Sequence, residues 1–115
     1  MMKSYVFAFL IFGAFSVCNA SPVGKSFAAY RSSLIKAGWM PFEFHRNKEE
    51  FPLTGEEVAL QKAKIYEVEG CSMDAGVLCK FWYTKGEVCL MVETKGERLK
   101  DKRVFYQKRD ACPTQ

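Results

Sequence analysis

The chain has 115 residues, of which 49% are hydrophobic, 15% aromatic and 26% charged, with a formal net charge of +4 and five cysteines. One small folded domain fits this length; two domains, a dinucleotide fold or a barrel enzyme do not. Ten Phe, five Tyr and two Trp supply enough apolar surface to offset the entropy of ordering, which excludes a disordered chain.

Residues 1–20, MMKSYVFAFLIFGAFSVCNA, carry a charge at Lys3, an apolar run from Tyr5 to Val17 and small residues at the end, Asn19 and Ala20. That is the pattern of a cleaved secretory signal peptide. The run is shorter than the roughly 20 apolar residues needed to cross a bilayer, and no later segment is long or uncharged enough to do so. A bacterial lipoprotein would use Cys18 as its acylated residue, but such a site wants a small residue where Val17 stands. Cleavage after Ala20 leaves residues 21–115 as a single domain of 95 residues with four cysteines and 16 basic against 13 acidic side chains. This mild basic excess argues against dedicated nucleic-acid binding.

In Lys25 to Ala37 the apolar residues Phe27, Tyr30, Leu34 and Ala37 recur at helical spacing, which predicts an amphipathic helix. Ser26 is placed to cap its start and Gly38 to end it in a left-handed conformation. The next stretch, WMPFEF at Trp39 to Phe44, contains Pro41, which has no N–H for a sheet ladder; it reads as an edge strand or an extended crossing segment. A polar loop follows, His45 to Glu50. Thr54 with Glu57 has capping-box spacing, and Leu53 with Val58 has hydrophobic-staple spacing. They predict a short helix or turn over about residues 55 to 62, with no stop signal before the β-like run that follows.

That run, Ile65 to Glu69, is the first of three strand signals. Leu78 to Thr84 and Glu87 to Thr94 flank Lys85-Gly86 and predict a hairpin in which Tyr83 faces Val88, Phe81 faces Leu90 and Cys79 faces Val92. Lys80, Trp82, Cys89, Met91 and Glu93 then share the other face. Arg103 to Gln107 reads as the last strand. The expected fold is α+β: an N-terminal amphipathic helix packed on a three- to four-stranded antiparallel meander and stapled by disulfides.

Four cysteines in a small exported domain read as two bridges. Cys71 with Cys79 would close the loop between two strands, and Cys89 with Cys112 would tie the tail to the sheet; this is one of three connectivities the sequence allows. Neither spacing is C-x-x-C and no histidine clusters with the thiols, so no metal or redox site is expected. No phosphate loop, nucleophile elbow or zinc motif occurs, and no catalytic residue and no cofactor are assigned. His45, the sole histidine, reads as a solvated loop residue. Glu56 with Glu57 favours a helix N-terminus, and Glu67 with Glu69 lies on one exposed strand face. Two candidate contact regions remain. One is Trp82 with Met91, large apolar side chains that need cover from the Trp39 segment or the Cys112 tail, or else from a partner. The other is the basic run Lys95 to Arg109, including Lys100, Lys102 and Arg103, which is either a solvated edge whose lysines block pairing or a contact for an anionic surface.

The set Tyr30-Arg31, Leu34, Ala37-Gly38-Trp39, Pro41, Val68-Glu69-Gly70-Cys71-Ser72, Cys79-Lys80-Phe81 and Gly96-Glu97 resembles a loose group of small exported bacterial proteins of unknown function. The likeness implies a periplasmic location and no activity. Phe81-Trp82-Tyr83-Thr84-Lys85-Gly86 is similar to the Phe-Trp-x-Lys-Gly hairpin of periplasmic inhibitors of C-type lysozyme, with one residue more between Trp82 and Lys85. The upstream Ser-Gly-x-x-Tyr motif of those inhibitors is absent, and no inhibitory residue is carried over. The expectation is therefore a periplasmic or secreted, non-enzymatic interaction module that binds an envelope or secreted protein, without nucleic acid and without a transmembrane segment. The alternatives are an inhibitor or immunity protein against a cell-wall-degrading enzyme such as lysozyme, and a small hydrolase.

Overall fold

Helix α1 spans Phe27–Lys36 and begins where the sequence places its cap: the Ser26 hydroxyl accepts a hydrogen bond from the Ala29 N–H at 3.3 Å. It ends in a Schellman motif. Gly38 has φ +99°, its N–H donates to the Ile35 carbonyl, and the Trp39 N–H donates to the Leu34 carbonyl. The computed structural model describes residues 21–44, 55–73 and 76–114. Residues 1–20, expected as a signal peptide, with Cys18, the histidine His45, and Leu53 and Thr54 of the expected helix-entry motif lie outside these residues.

After α1 come β1 (Met40–Pro41), α2 (Gly55–Lys62), β2 (Val68–Ser72), β3 (Leu78–Lys85), β4 (Val88–Lys95), a 3-10 turn at Leu99–Asp101 and β5 (Arg103–Asp110). The strands form one antiparallel sheet of five in the order β1-β3-β4-β5, with β2 also on β3. One edge of β3 is thus shared by two strands. The handover is at Trp82, whose N–H donates to the Glu67 carbonyl and whose own carbonyl accepts from Phe42 N–H. The extra strand beyond the expected meander comes from Met40 and Pro41, which pair with Thr84 and Tyr83 at a sheet edge, the position a proline tolerates.

Three expected details are corrected. The hairpin turn is Gly86-Glu87, so Tyr83 faces Leu90, Phe81 faces Val92 and Cys79 faces Thr94, while Val88 lies across from Lys85 at the exposed end. Gly86 has φ +63° and no positive φ occurs at Glu87, which is the type II′ pattern that places glycine first in the turn. A Lys85-Gly86 turn would have put lysine in that position. The shift of two residues leaves every side chain on its expected face. Second, β2 starts at Val68 rather than Ile65, because α2 ends in its own Schellman motif. Lys64 adopts φ +64°, its N–H donates to Gln61 O, and the Ile65 N–H donates to Leu60 O, which turns Ile65 into the core. Third, β5 runs on to Asp110, with a bulge that leaves Phe105 as the extra residue between Val104 and Tyr106.

The face of the sheet under α1 holds the main core. Phe27 stacks on Phe81 with ring centroids 4.2 Å apart, and Leu34, Trp39, Leu60, Val68, Tyr83, Leu90, Val92 and Val104 close around them. Each such buried side chain contributes about 1.5–3 kcal/mol. The two disulfides are Cys71–Cys79, which joins directly opposed residues of β2 and β3, and Cys89–Cys112, which holds the C-terminal tail against β4.

Candidate binding surface

Trp82 and Met91, expected as a contact patch, are only 8% and 6% exposed. With Cys89 they form a second core on the far face of the sheet, covered by Phe42 and Phe44. The Trp82 indole N–H is also spent, donating to Glu69 Oε1 at 2.6 Å. The WMPFEF segment supplies the cover that was one of the two options for this face, and these two residues are structural.

The basic run divides in the same way. Lys102 is fully buried: its ammonium lies 2.6 Å from Glu56 Oε2 and donates to the Gly96 carbonyl at 2.9 Å. It is a tie between α2 and the start of β5, not a surface cation. The 95–102 connection closes tightly around it, and a Cβ at Gly96, where φ is +143°, would lie 2.6 Å from the Asp101 carbonyl oxygen. Lys100 on the 3-10 turn and Arg103 at the start of β5 are exposed.

The carboxylates are engaged individually. Glu67, expected on an exposed face with Glu69, is fully buried just ahead of β2. It is reached by Arg31 Nε at 2.5 Å, by the second guanidinium branch at 3.2 Å and by the Tyr83 hydroxyl at 2.6 Å. Burial pushes the Tyr83 phenol well above its ordinary range, and the charge on Glu67 pushes the same way. For Arg31 burial works against the charged form, but its hydrogen bond and charge interaction with Glu67 outweigh this and raise it. A 420 Å³ groove beside the Cys71–Cys79 bridge is lined by Glu57, Glu69 and Glu93. Glu57 accepts from the Cys71 N–H at 2.8 Å, Glu69 from Trp82, and Glu93 lies 4.0 Å from Lys80 across the strands. Among the described residues no group of three or more acidic, histidine or cysteine side chains is arranged to hold a metal.

Among the described residues the β5 side of the sheet is open. The 24–27 segment covers only the start of the strand: Gly24 N–H donates to Val104 O, Val104 N–H to Lys25 O and Phe27 N–H to Lys102 O. Among the described residues no strand pairs with the outer edge of β5 past Val104. Along that edge Phe105 is 41% and Tyr106 43% exposed, between Arg103 on one side and Lys108 and Arg109 on the other. Lys108 lies 3.3 Å from Asp110, whose carboxyl is held below the usual range by the Ala111 N–H and then by Lys108. Alternation alone would set Tyr106 on the core face with Val104; the bulge at Phe105 instead pairs Tyr106 with Glu93, and the sequence carries no signal for it.

On the α1 side, β5 helps to wall a hollow of 250 Å³. Its floor is Trp39, with the Arg109 guanidinium 5.5 Å and the Lys85 ammonium 5.7 Å from the ring centroid. Lys85 also donates to the Ala37 carbonyl at 2.7 Å, where the negative end of α1 favours a cation. Tyr30 donates from its hydroxyl to Gln107 Oε1 at 3.1 Å, and partial burial raises its phenol against the opposing charge of Arg109. Tyr30, Trp39, Gln107 and Arg109 went unnoticed in the sequence as a group. No family model matches the chain, and no curated protein and no solved structure shows significant similarity to it. Among the described residues no helix is long and apolar enough to cross a membrane.

Proposed function

We propose that this protein is an exported, non-enzymatic interaction module that binds an acidic extended segment of an envelope or secreted protein along the outer edge of β5. The observation that carries the reading is the composition of that edge: a stretch from Phe105 to Asp110 that no described strand pairs on its outer side, with two exposed aromatics set among Arg103, Lys108 and Arg109. An edge whose only duty is to resist pairing uses charge, proline or a bulge, and has no need of aromatic surface. Added-strand recognition uses this combination, with main-chain bonds for affinity and side chains for selection. The basic residues select an acidic partner and speed its approach. Export is supported by the pattern of residues 1–20 and by two disulfides, which persist in oxidising compartments.

The test is a photo-activated cross-linker at Tyr106 in cells that export the protein, with the same group at exposed Met73 as comparator. The reading expects a defined adduct from position 106, lost when Arg103→Glu and Lys108→Glu are combined. An adduct equally strong in that charge-reversed variant, or none at position 106, overturns it. Assay of the purified protein against lysozyme asks whether that partner is a cell-wall-degrading enzyme.

A further inference from the structure

We infer that the hollow between α1, β4 and the end of β5 is a binding site for one oxyanion, a carboxylate or phosphate group carried at the end of a larger molecule. Its polar lining is Lys25, Tyr30, Ser33, Gln107 and Arg109, with no carboxylate among the described residues that line it. Among the described residues five cations lie within 4.0 Å of a carboxylate: Arg31 with Glu67, Lys80 with Glu93, Arg98 with Asp101, Lys102 with Glu56 and Lys108 with Asp110. Lys25 and Arg109 have no such partner among the described residues and both line the hollow, so an anion that enters it meets two cationic side chains.

The donor geometry suits an oxyanion. The Arg109 guanidinium lies 5.5 Å from the Trp39 ring centroid, and a guanidinium can make a two-pronged contact with a carboxylate or phosphate. The Tyr30 hydroxyl occupies Gln107 Oε1, so the amide N–H₂ of Gln107 is left to donate elsewhere. Leu34, Leu90 and Trp39 form the apolar part of the wall. Size settles how much of a ligand enters. At 250 Å³ the hollow is smaller than the roughly 300–1,000 Å³ of sites that enclose a whole drug-sized molecule, so it takes a terminal group and leaves the rest outside. The inference rests on the reading of the β5 side as the binding surface, since Gln107 and Arg109 belong to that strand.

The test is a titration of the ¹⁵N-labelled protein with inorganic phosphate and, separately, with acetate, each against sodium chloride at matched ionic strength so that screening is common to all. Saturable shifts are expected at the amides of Lys25, Tyr30, Gln107 and Arg109 and at the Trp39 indole, with the Trp82 indole unmoved. Arg109→Gln is expected to weaken binding about ten- to a hundred-fold, the loss of one charge-assisted contact. Lys25→Gln weakens it too, while Arg103→Gln, outside the hollow, leaves it unchanged. Response to phosphate alone, or to acetate alone, identifies the group. No saturable shift with either, or an equal loss in Arg103→Gln, overturns the inference. If the hollow fails this test while the Tyr106 adduct still depends on Arg103 and Lys108, the oxyanion site falls and the module reading stands. If the adduct fails, the titration is judged on its own shifts.

Discussion

The cluster formed by Arg31, Glu67 and Tyr83 makes the sharpest energetic prediction. Glu67 is fully buried, while the Arg31 side chain keeps 24% of its exposure. Removing one partner therefore has unequal consequences. Arg31→Met leaves a carboxylate without water and with only the Tyr83 hydroxyl to bond it, which costs about 3–5 kcal/mol. Glu67→Gln removes the buried charge and leaves Arg31 to rehydrate through its open side, so the loss is that of charge-assisted hydrogen bonds, about 1.5–3 kcal/mol. Replacing all three by apolar groups of similar volume, Arg31→Met with Glu67→Met and Tyr83→Phe, is expected to cost far less than the sum of the single changes, because no uncompensated charge remains.

Urea denaturation with both disulfides intact measures this as a shift of midpoint at constant slope. The raised Tyr83 phenol makes stability depend on pH in the alkaline range. Above pH ~10 the unfolded chain has lost this proton and the folded protein has kept it, so stability falls as pH rises, by about 1.4 kcal/mol per unit for the one proton. Tyr83→Phe lacks that part of the alkaline decline. An Arg31→Met variant within about 0.5 kcal/mol of wild type, as for an ordinary surface change, would refute the assignment of the cluster as a buried ion pair.

Three further outcomes test other parts of the fold. Removing Cys89–Cys112, with a sequence separation of 23, should cost about 3.5 kcal/mol by the loop-entropy relation, and removing Cys71–Cys79, with a separation of 8, about 2.5, compared as double serine variants in the same denaturant series. Lys64→Gly should raise stability by about 0.5–1 kcal/mol, since the left-handed φ of +64° costs lysine more than glycine loses in unfolded-state entropy. Thr94→Val should stabilise by about 1 kcal/mol, because the Thr94 hydroxyl is buried without a hydrogen-bond partner; a loss of stability there would show that it has one.

The sequence and structure agree wherever the signal is local. Ser26 and Gly38 mark the ends of α1 because each acts on a backbone group within three or four residues. Where the same geometry is met by an unusual residue the signal vanishes: α2 ends in the same motif as α1, but with Lys64 in place of glycine, and the start of β2 is misplaced as a result. The buried cluster was beyond reach for a different reason. Glu67 meets Arg31 across 36 residues and Tyr83 across 16, so its strand neighbours alone make it read as an exposed partner of Glu69. The hollow is more remote still, since Tyr30 and Gln107 meet across 77 residues. Trp82 and Met91 were correctly placed on one face, but exposure depends on what crosses it, and Phe42 and Phe44 do.

The groups that were hardest to read in sequence are also those that hold β5 in place. Its start is fixed by Lys102, bonded to Glu56 of α2 and to Gly96, and by the main-chain bonds of the 24–27 segment. Its end is fixed where Asp110 pairs with Cys89, which the disulfide to Cys112 anchors in turn. Between those two fastenings the edge from Phe105 to Arg109 is, among the described residues, unpaired on its outer side and yet held at both ends, so a partner strand meets a template that is already ordered. Ordering an interface on binding costs about 0.5–1.5 kcal/mol per immobilised side chain, and a pre-set edge avoids part of that cost. The Cys89–Cys112 bridge therefore has a role in affinity as well as in stability. Under conditions where every variant remains folded, its removal should lower the cross-linking yield from Tyr106, whereas removal of Cys71–Cys79, at the opposite side of the sheet, should leave that yield unchanged.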